Sequence, residues 1–411
     1  MTGNKYDSHI IVAACFMIQA VGVGTFVTYG VFFNSLLEEF QWSRASLSGA
    51  SSLAFILSGI FAIIIGKLND IHGPRKLMSI ASLLLGTGVI LMSRLTELWQ
   101  LFVFYGIIFG VGLGAIDVIA LTTTARWFTR SRGFMTGIVK VGTGAGQFLI
   151  PFMASVLIAS HGWRQAYVII GISVTVILFG VAQLLRRDPE SCNSMKGTIR
   201  NSQIQPSSLH DNSLSAEGAI HTIQFWILCG ISVLTVFCLL TILVHIVPHA
   251  SDLGLSARKA AGVLSTIGAV SMIGRFSAGV AIDRLGSKQI MVICFFILIS
   301  GLLWLQIADN LWMLYLFAAV YGLAHGGFFT AISPIVAEVF GIGSHGAIFG
   351  IVVFSGTAGG AVGPLVAGRL FDMTGSYGTT FQLITILSTI SLALIVFLKP
   401  INAPIKEVQP H

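Results

Sequence analysis

Apolar runs of about 20 residues, the length needed to cross a bilayer as a helix, recur along the whole chain between short polar interruptions. They predict an all-α integral membrane protein of twelve transmembrane helices, near 10–33, 45–66, 76–93, 98–125, 133–159, 163–185, 221–247, 257–282, 288–308, 311–337, 346–370 and 377–398. The first run continues past Val31 and is too long and too glycine-rich for a cleaved signal peptide. Between the sixth and seventh runs, residues 186–220 are rich in Arg, Asp, Asn, Ser, Gln and Pro. This stretch reads as a flexible linker, which divides the chain into a bundle over 1–185, a linker over 186–220 and a second bundle over 221–411.

Composition supports the same class. The 411 residues are 55% hydrophobic and 9% charged, against about 25% charged in soluble domains. A net charge of +7 could suggest nucleic acid, but the distribution of the basic residues explains it better. Lys5, Lys67, Arg75, Lys76, Arg126, Arg130, Arg132, Arg186, Arg187, Lys196, Arg200, Arg284, Lys288, Lys399 and Lys406 fall on one side of the predicted spans. Arg44, Arg94, Arg164, Arg258, Lys259 and Arg369 fall on the other. Such asymmetry puts the richer side, with both termini and the linker, in the cytoplasm. The five cysteines have neither metal-ligand spacing nor a disulfide framework.

The two halves repeat. Gly66-x-x-x-Asp70-x-x-Gly73-x-Arg75 follows span 2, and Gly279-x-x-x-Asp283-x-x-Gly286-x-Lys288 follows span 8. Gly142-Thr143 in span 5 answers Gly356-Thr357 in span 11. Repeats about 210 residues apart predict two similar bundles with a solute site at mid-depth between them. The aspartates can cap helix ends and pair with loop arginines, in contacts that break and reform if the bundles rock.

Charges within the spans are few, and an arginine at mid-bilayer costs roughly 2.5–3.5 kcal/mol unless it has a partner or water. Arg275 sits in the inner half of span 8, on a small face with Gly268, Ser271 and Gly279, and no acid on its own helix can reach it. A transported anion is the partner this arrangement suggests. Asp117 in span 4 and Lys140 in span 5 fall at similar depth, which makes an ion pair either structural or part of proton coupling. His325 lies near the middle of span 10 with Phe329 one turn away, and can titrate or hydrogen-bond a carboxylate. His245, toward the outer end of span 7, could admit protons. Tyr29, Phe328, Phe329 and Phe354 are candidate cavity walls, with Ser271 and Ser355 beside them.

The paired loop motifs and the 6+6 plan resemble the major facilitator superfamily. Phe40-Gln-Trp42-Ser43-Arg44, Arg126-Trp-Phe, Arg132-Gly133-x-x-x-Gly137, Gly162-Trp163-Arg164 and Gly363-Pro364…Asp372-Met-Thr374-Gly375-Ser376-Tyr377 narrow the likeness to the monocarboxylate transporters and the oxalate–formate exchangers. This resemblance implies the major facilitator fold and an anion-binding arginine in span 8, matched by Arg275. Animal monocarboxylate carriers set an aspartate one turn before it, where this chain has Ser271, and use a span-1 lysine that is absent here. The exchangers' span-11 lysine is also absent.

The expected function is therefore secondary transport of a small monocarboxylate, of lactate or pyruvate kind, by alternating access with a proton. Arg275, His325, Phe329, Phe354, Tyr29, Ser271 and Ser355 would form the site, with Asp117, Lys140 and His245 in coupling. Asp70, Arg75, Asp283 and Lys288 would act in the conformational loops. Anion exchange, efflux of a bulkier acid and a non-transporting sensor are the alternatives. No nucleophile–base pair or phosphate-cradling loop points to an enzyme, and no cofactor or metal is expected. The partners are the acid, the proton and the bilayer, with no nucleic acid. A monomer in the plasma membrane is the default.

Overall fold

The structure is a computed structural model that describes residues 3–187 and 214–398. The core of the expected linker, Cys192 and the residues after Leu398 lie outside the described residues. Within them the long helices are α1 (Gly3–Phe40), α2 (Arg44–His72), α3 (Pro74–Met92) and α4 (Leu98–Trp127). Next come α5 (132–161) and α6 (163–184), then α7 (Ile223–Asp252), α8 (Ala257–Leu285) and α9 (Ser287–Leu305). The last three are α10 (Leu311–Phe340), α11 (His345–Thr374) and α12 (Gly378–Phe397).

Among the described residues, eleven continuous helices are long and apolar enough to cross a membrane, and one of them is the 53-residue run Arg132–Leu184. At about 1.5 Å per residue that run is far longer than one bilayer crossing. Gly162 breaks it with φ 78° and ψ 160°, a conformation that disfavours any residue with a Cβ. The break separates α5 from α6. Within α4, residues Phe102–Phe109 wind as a π-helix.

Helices α1–α6 pack on one another, as do α7–α12, and the two groups meet along α2 with α11 and α5 with α8. Stacked rings fill the first group: Tyr29 on Tyr105 at 4.3 Å and Phe32 on Tyr167 at 3.7 Å. Large apolar side chains such as Phe148, Phe152, Leu365 and Phe397 stay exposed on the outer faces. A bilayer can cover those faces; water could not do so cheaply.

Hydrogen bonds tie the two groups together at one end. Asp70 receives N–H bonds from Gly346 (3.0 Å) and Ala347 (2.9 Å) at the start of α11. Asp283 receives them from Gly133 (2.7 Å) and Phe134 (2.9 Å) at the start of α5. Each aspartate thus caps a helix of the opposite bundle, where the exposed N–H groups and the helix dipole favour negative charge. The sequence reading put both in loops; the structure places them in the last turns of α2 and α8, aimed across the seam. Arg126 from α4 donates to Asp70 at 2.7 Å. The basic residues of the same motifs stay within their own bundle. Arg75 donates to Gln183 of α6, and Lys288 donates to the carbonyls of Val396 and Leu398 at the end of α12.

Candidate functional site

A cavity of about 600 Å³ lies between the bundles, lined from α1, α2, α4, α5, α7, α8, α10 and α11. It begins beyond the sealed end and extends toward the opposite one, where Val27, Leu243 and Leu264 line it. The charged residues singled out in the sequence meet here: Asp117, Lys140, Arg275 and His325 all line the same space.

Arg275 is 3% exposed, and its Nε and Nη1 have no hydrogen-bond acceptor among the described residues. Ser271, one turn before it, spends its hydroxyl on the carbonyl of Gly268 at 2.8 Å. The guanidinium reaches across the seam to α5. A Cβ built on Gly144 would stand 2.3 Å from Cγ of Met272 and 3.1 Å from Nη1 of Arg275, so the missing side chain makes room first for Met272 and then for the arginine beside it. Lys140 lies one turn before Gly144 on the same face of α5. Two cations from opposite bundles are therefore neighbours.

Lys140 has a partner. Its Nζ lies 2.5 Å from Oδ1 of Asp117 in α4. Gln19, buried in α1, donates from Nε2 to the same carboxylate oxygen at 2.8 Å, while its Oε1 accepts from Thr143 at 2.7 Å. Sequence reading missed Gln19 and Thr143. The available signal was an amide in the middle of an apolar span, which has to find polar partners once buried. Asp117 keeps part of its side chain open to the cavity, whereas Lys140 is nearly enclosed. The pair is complete on the lysine side and accessible on the acid side.

His325 sits on α10 with its ring 5.1 Å from that of Phe329 and its Nδ1 unbonded. Phe329 also faces Lys140, whose ammonium is 6.0 Å from the ring centroid, a cation–π approach across the seam. Phe328 joins them in the wall.

Other expected site residues lie elsewhere. Tyr29 is buried in the first bundle and donates its hydroxyl to the Leu47 carbonyl at 2.8 Å. Phe354 and Ser355 are not among the cavity walls, where α11 instead presents Val353, Gly356 and Thr357. At about 100° per residue, positions 354 and 355 turn away from the face that 353, 356 and 357 share. His245 is outside the cavity as well: its Nε2 is 3.0 Å from the Pro364 carbonyl and its Nδ1 3.1 Å from the Tyr377 hydroxyl. A carbonyl can only accept, so Nε2 carries a proton.

The family profile described as Major Facilitator Superfamily matches residues 12–287 and 225–411, so the chain belongs to that superfamily. Human monocarboxylate transporter 12 is 26% identical over 398 residues, spanning 91% of this chain and 77% of that protein. A Bacillus subtilis transporter of the same superfamily, YcxA, is 24% identical and covers 88% of each chain. Among solved structures, the proton:xylose symporter XylE superposes with a TM-score of 0.78 at 14% identity, covering 96% of this chain and 97% of its own. The transporter FucP in its outward conformation gives 0.72 at 15% identity, covering 96% and 99%. These two likenesses concern the fold alone. The chain is a multi-pass membrane transporter of the superfamily and not an enzyme.

Proposed function

We propose that this transporter carries an organic monocarboxylate together with a proton, with Arg275 binding the carboxylate. The observation that carries the reading is the buried guanidinium of Arg275, with Nε and Nη1 unbonded in a cavity between two bundles. A guanidinium fork left without an acceptor is suited to a carboxylate. The monocarboxylate transporters among its relatives point the same way.

Asp117 is the proton acceptor in this scheme. Protonating it frees Lys140, and the released ammonium, one turn from the seat of Arg275, joins in holding the anion. Charge balance favours such a cycle. A bare anion entering against an inside-negative potential costs about 2.3 kcal/mol per charge per 100 mV, whereas an anion with one proton moves no net charge. The sealed end, bearing Asp70 and Asp283, is assigned to the cytoplasm by the basic-residue asymmetry. The bundles rock about the fixed site, and the two aspartate caps at the seam break when the inner side opens.

A second reading, exchange of organic anions, draws on a specific observation. Among the described residues Arg275 has no acidic hydrogen-bond partner, so the empty carrier holds an uncompensated cation as it reorients. Proteoliposomes separate the two. An inward proton gradient drives accumulation of labelled acid under symport, while uptake that needs a trans anion and ignores pH selects exchange. Arg275→Ala abolishes acid binding under either; a mutant that binds and moves acids normally refutes the proposal.

A further inference from the structure

The polarity of the cavity is layered. Asp117, Lys140, Thr143, Gln147, Ser271, Arg275 and His325 form a polar level part-way along the helices. Farther from the sealed end the lining is Phe26, Phe55, Leu240, Leu243 and Leu264, and beyond the depth of Gln147 and Gly268 no described lining residue carries a polar side chain. Leu264 lies about 16 Å along α8 from Arg275, at ~1.5 Å rise per residue. Phe26 and Phe55 stack at 6.1 Å and close the α1–α2 side with aromatic surface. The space is large as well as apolar. About 600 Å³ falls within the roughly 300–1,000 Å³ typical of sites for drug-sized ligands.

A hydroxy or keto acid of three carbons would use the polar level and leave the apolar chamber without contact. We infer that the acid carried is amphipathic, with a bulky aromatic or branched apolar body occupying the chamber between Phe26, Leu240 and Leu264 while its carboxylate sits on Arg275. This rests on the anion site proposed above and moves the substrate class away from lactate and pyruvate toward long-tailed monocarboxylates. Burial of the tail supplies the affinity, and the cations orient the head. Gly268 marks the chamber on α8: it lines the cavity, and a Cβ built there meets no atom within 4 Å. A large side chain at that position therefore has room to grow into the chamber.

The test is a binding series on the full-length protein in nanodiscs, using acetate, butyrate, hexanoate, 3-phenylpropionate and 6-phenylhexanoate. Arg275→Ala measured in parallel subtracts partition into lipid. Affinity should rise about fourfold for each methylene added, from the ~0.8 kcal/mol of a buried CH₂, until the chamber is full. In Gly268→Phe the long acids should lose most of that gain, while acetate and butyrate bind as in the wild type. If the wild type binds short acids and added tail brings no gain, the inference is overturned and the anion site stands. If no acid of any length binds above the Arg275→Ala background, the anion site itself falls and the inference with it. The wild-type series decides the point even if Gly268→Phe fails to fold.

Discussion

The ammonium of Lys140 lies 2.5 Å from Oδ1 of Asp117, on a carboxylate that Gln19 also holds and that the cavity can reach. This pair links three helices of one bundle at the depth where the other bundle presents Arg275. In the proposed cycle it is the charge that protonation from the cavity alters.

Asp117→Asn leaves a buried ammonium without its counter-ion, and stability should fall by about 3–5 kcal/mol. The melting temperature by intrinsic fluorescence in detergent reads that loss. Asp117→Asn with Lys140→Gln should restore most of it, since neither member is then a charge without a partner. If the pair couples the proton, the rescued double mutant still binds acid but no longer responds to a pH gradient in proteoliposomes. Full retention of proton-driven uptake would make the pair a structural one.

Gly144→Ala tests the seat of Arg275. The added methyl would stand 2.3 Å from Cγ and 2.7 Å from Sδ of Met272, and 3.1 Å from Nη1 of Arg275. Overpacking of this kind typically costs about 1–3 kcal/mol. Part of that cost should appear as weaker acid binding by calorimetry, because the guanidinium is displaced along with the methionine. Adding Met272→Ala makes room for the methyl and should recover stability more than affinity. Equal recovery of both would place the effect on Met272 alone.

Asp70→Asn and Asp283→Asn each remove a negative charge from the N-terminus of a helix in the opposite bundle. Such charge–dipole contacts are worth about 0.3–1 kcal/mol when exposed and up to ~2 kcal/mol when partly buried. The population sealed at this end should fall by a few-fold in each variant and by more in the pair. Spin-label distances across the α2–α11 and α5–α8 seams measure it. Unchanged distance distributions in both variants would rule out a latch role for the two carboxylates.

The opposite end carries its own ion pair. Arg164 donates to Glu39 at 2.5 Å, Trp163 donates to the other oxygen at 2.6 Å, and the guanidinium lies 4.2 Å from the Trp163 ring. The hydrogen bond from Arg164 is the main cause that holds the Glu39 carboxyl below its ordinary range. The stabilisation is therefore fully present above the unfolded value, about 4.3, and is lost as pH falls through the lower folded value. Because the site is exposed, the effect is small. Glu39→Gln should flatten the decline in melting temperature between about pH 5 and pH 3; an unaltered acid limb would assign no stabilising role to this contact.

Much of this protein was legible in one dimension. Span length and the paired Asp70 and Asp283 motifs follow from local composition and repetition, which survive without tertiary contacts. Arg275 stood out for the same reason, since a charge amid apolar residues is visible wherever its helix packs. The rotation of each helix about its axis was not legible, because in α10 and α11, with apolar faces all round, hydropathy does not distinguish cavity, core and lipid. Only packing decided that Phe329 faces Lys140, that Phe354 and Ser355 turn away, and that Tyr29 is held in the first bundle. The same holds for Gln19, whose partners come from α4 and α5, and for Asp70 and Asp283, each of which caps a helix of the other bundle. The sequence by itself determined which groups had to be satisfied inside the membrane. The tertiary structure decided which neighbour satisfies each, because that depends on distances across helices that no spacing along the chain encodes.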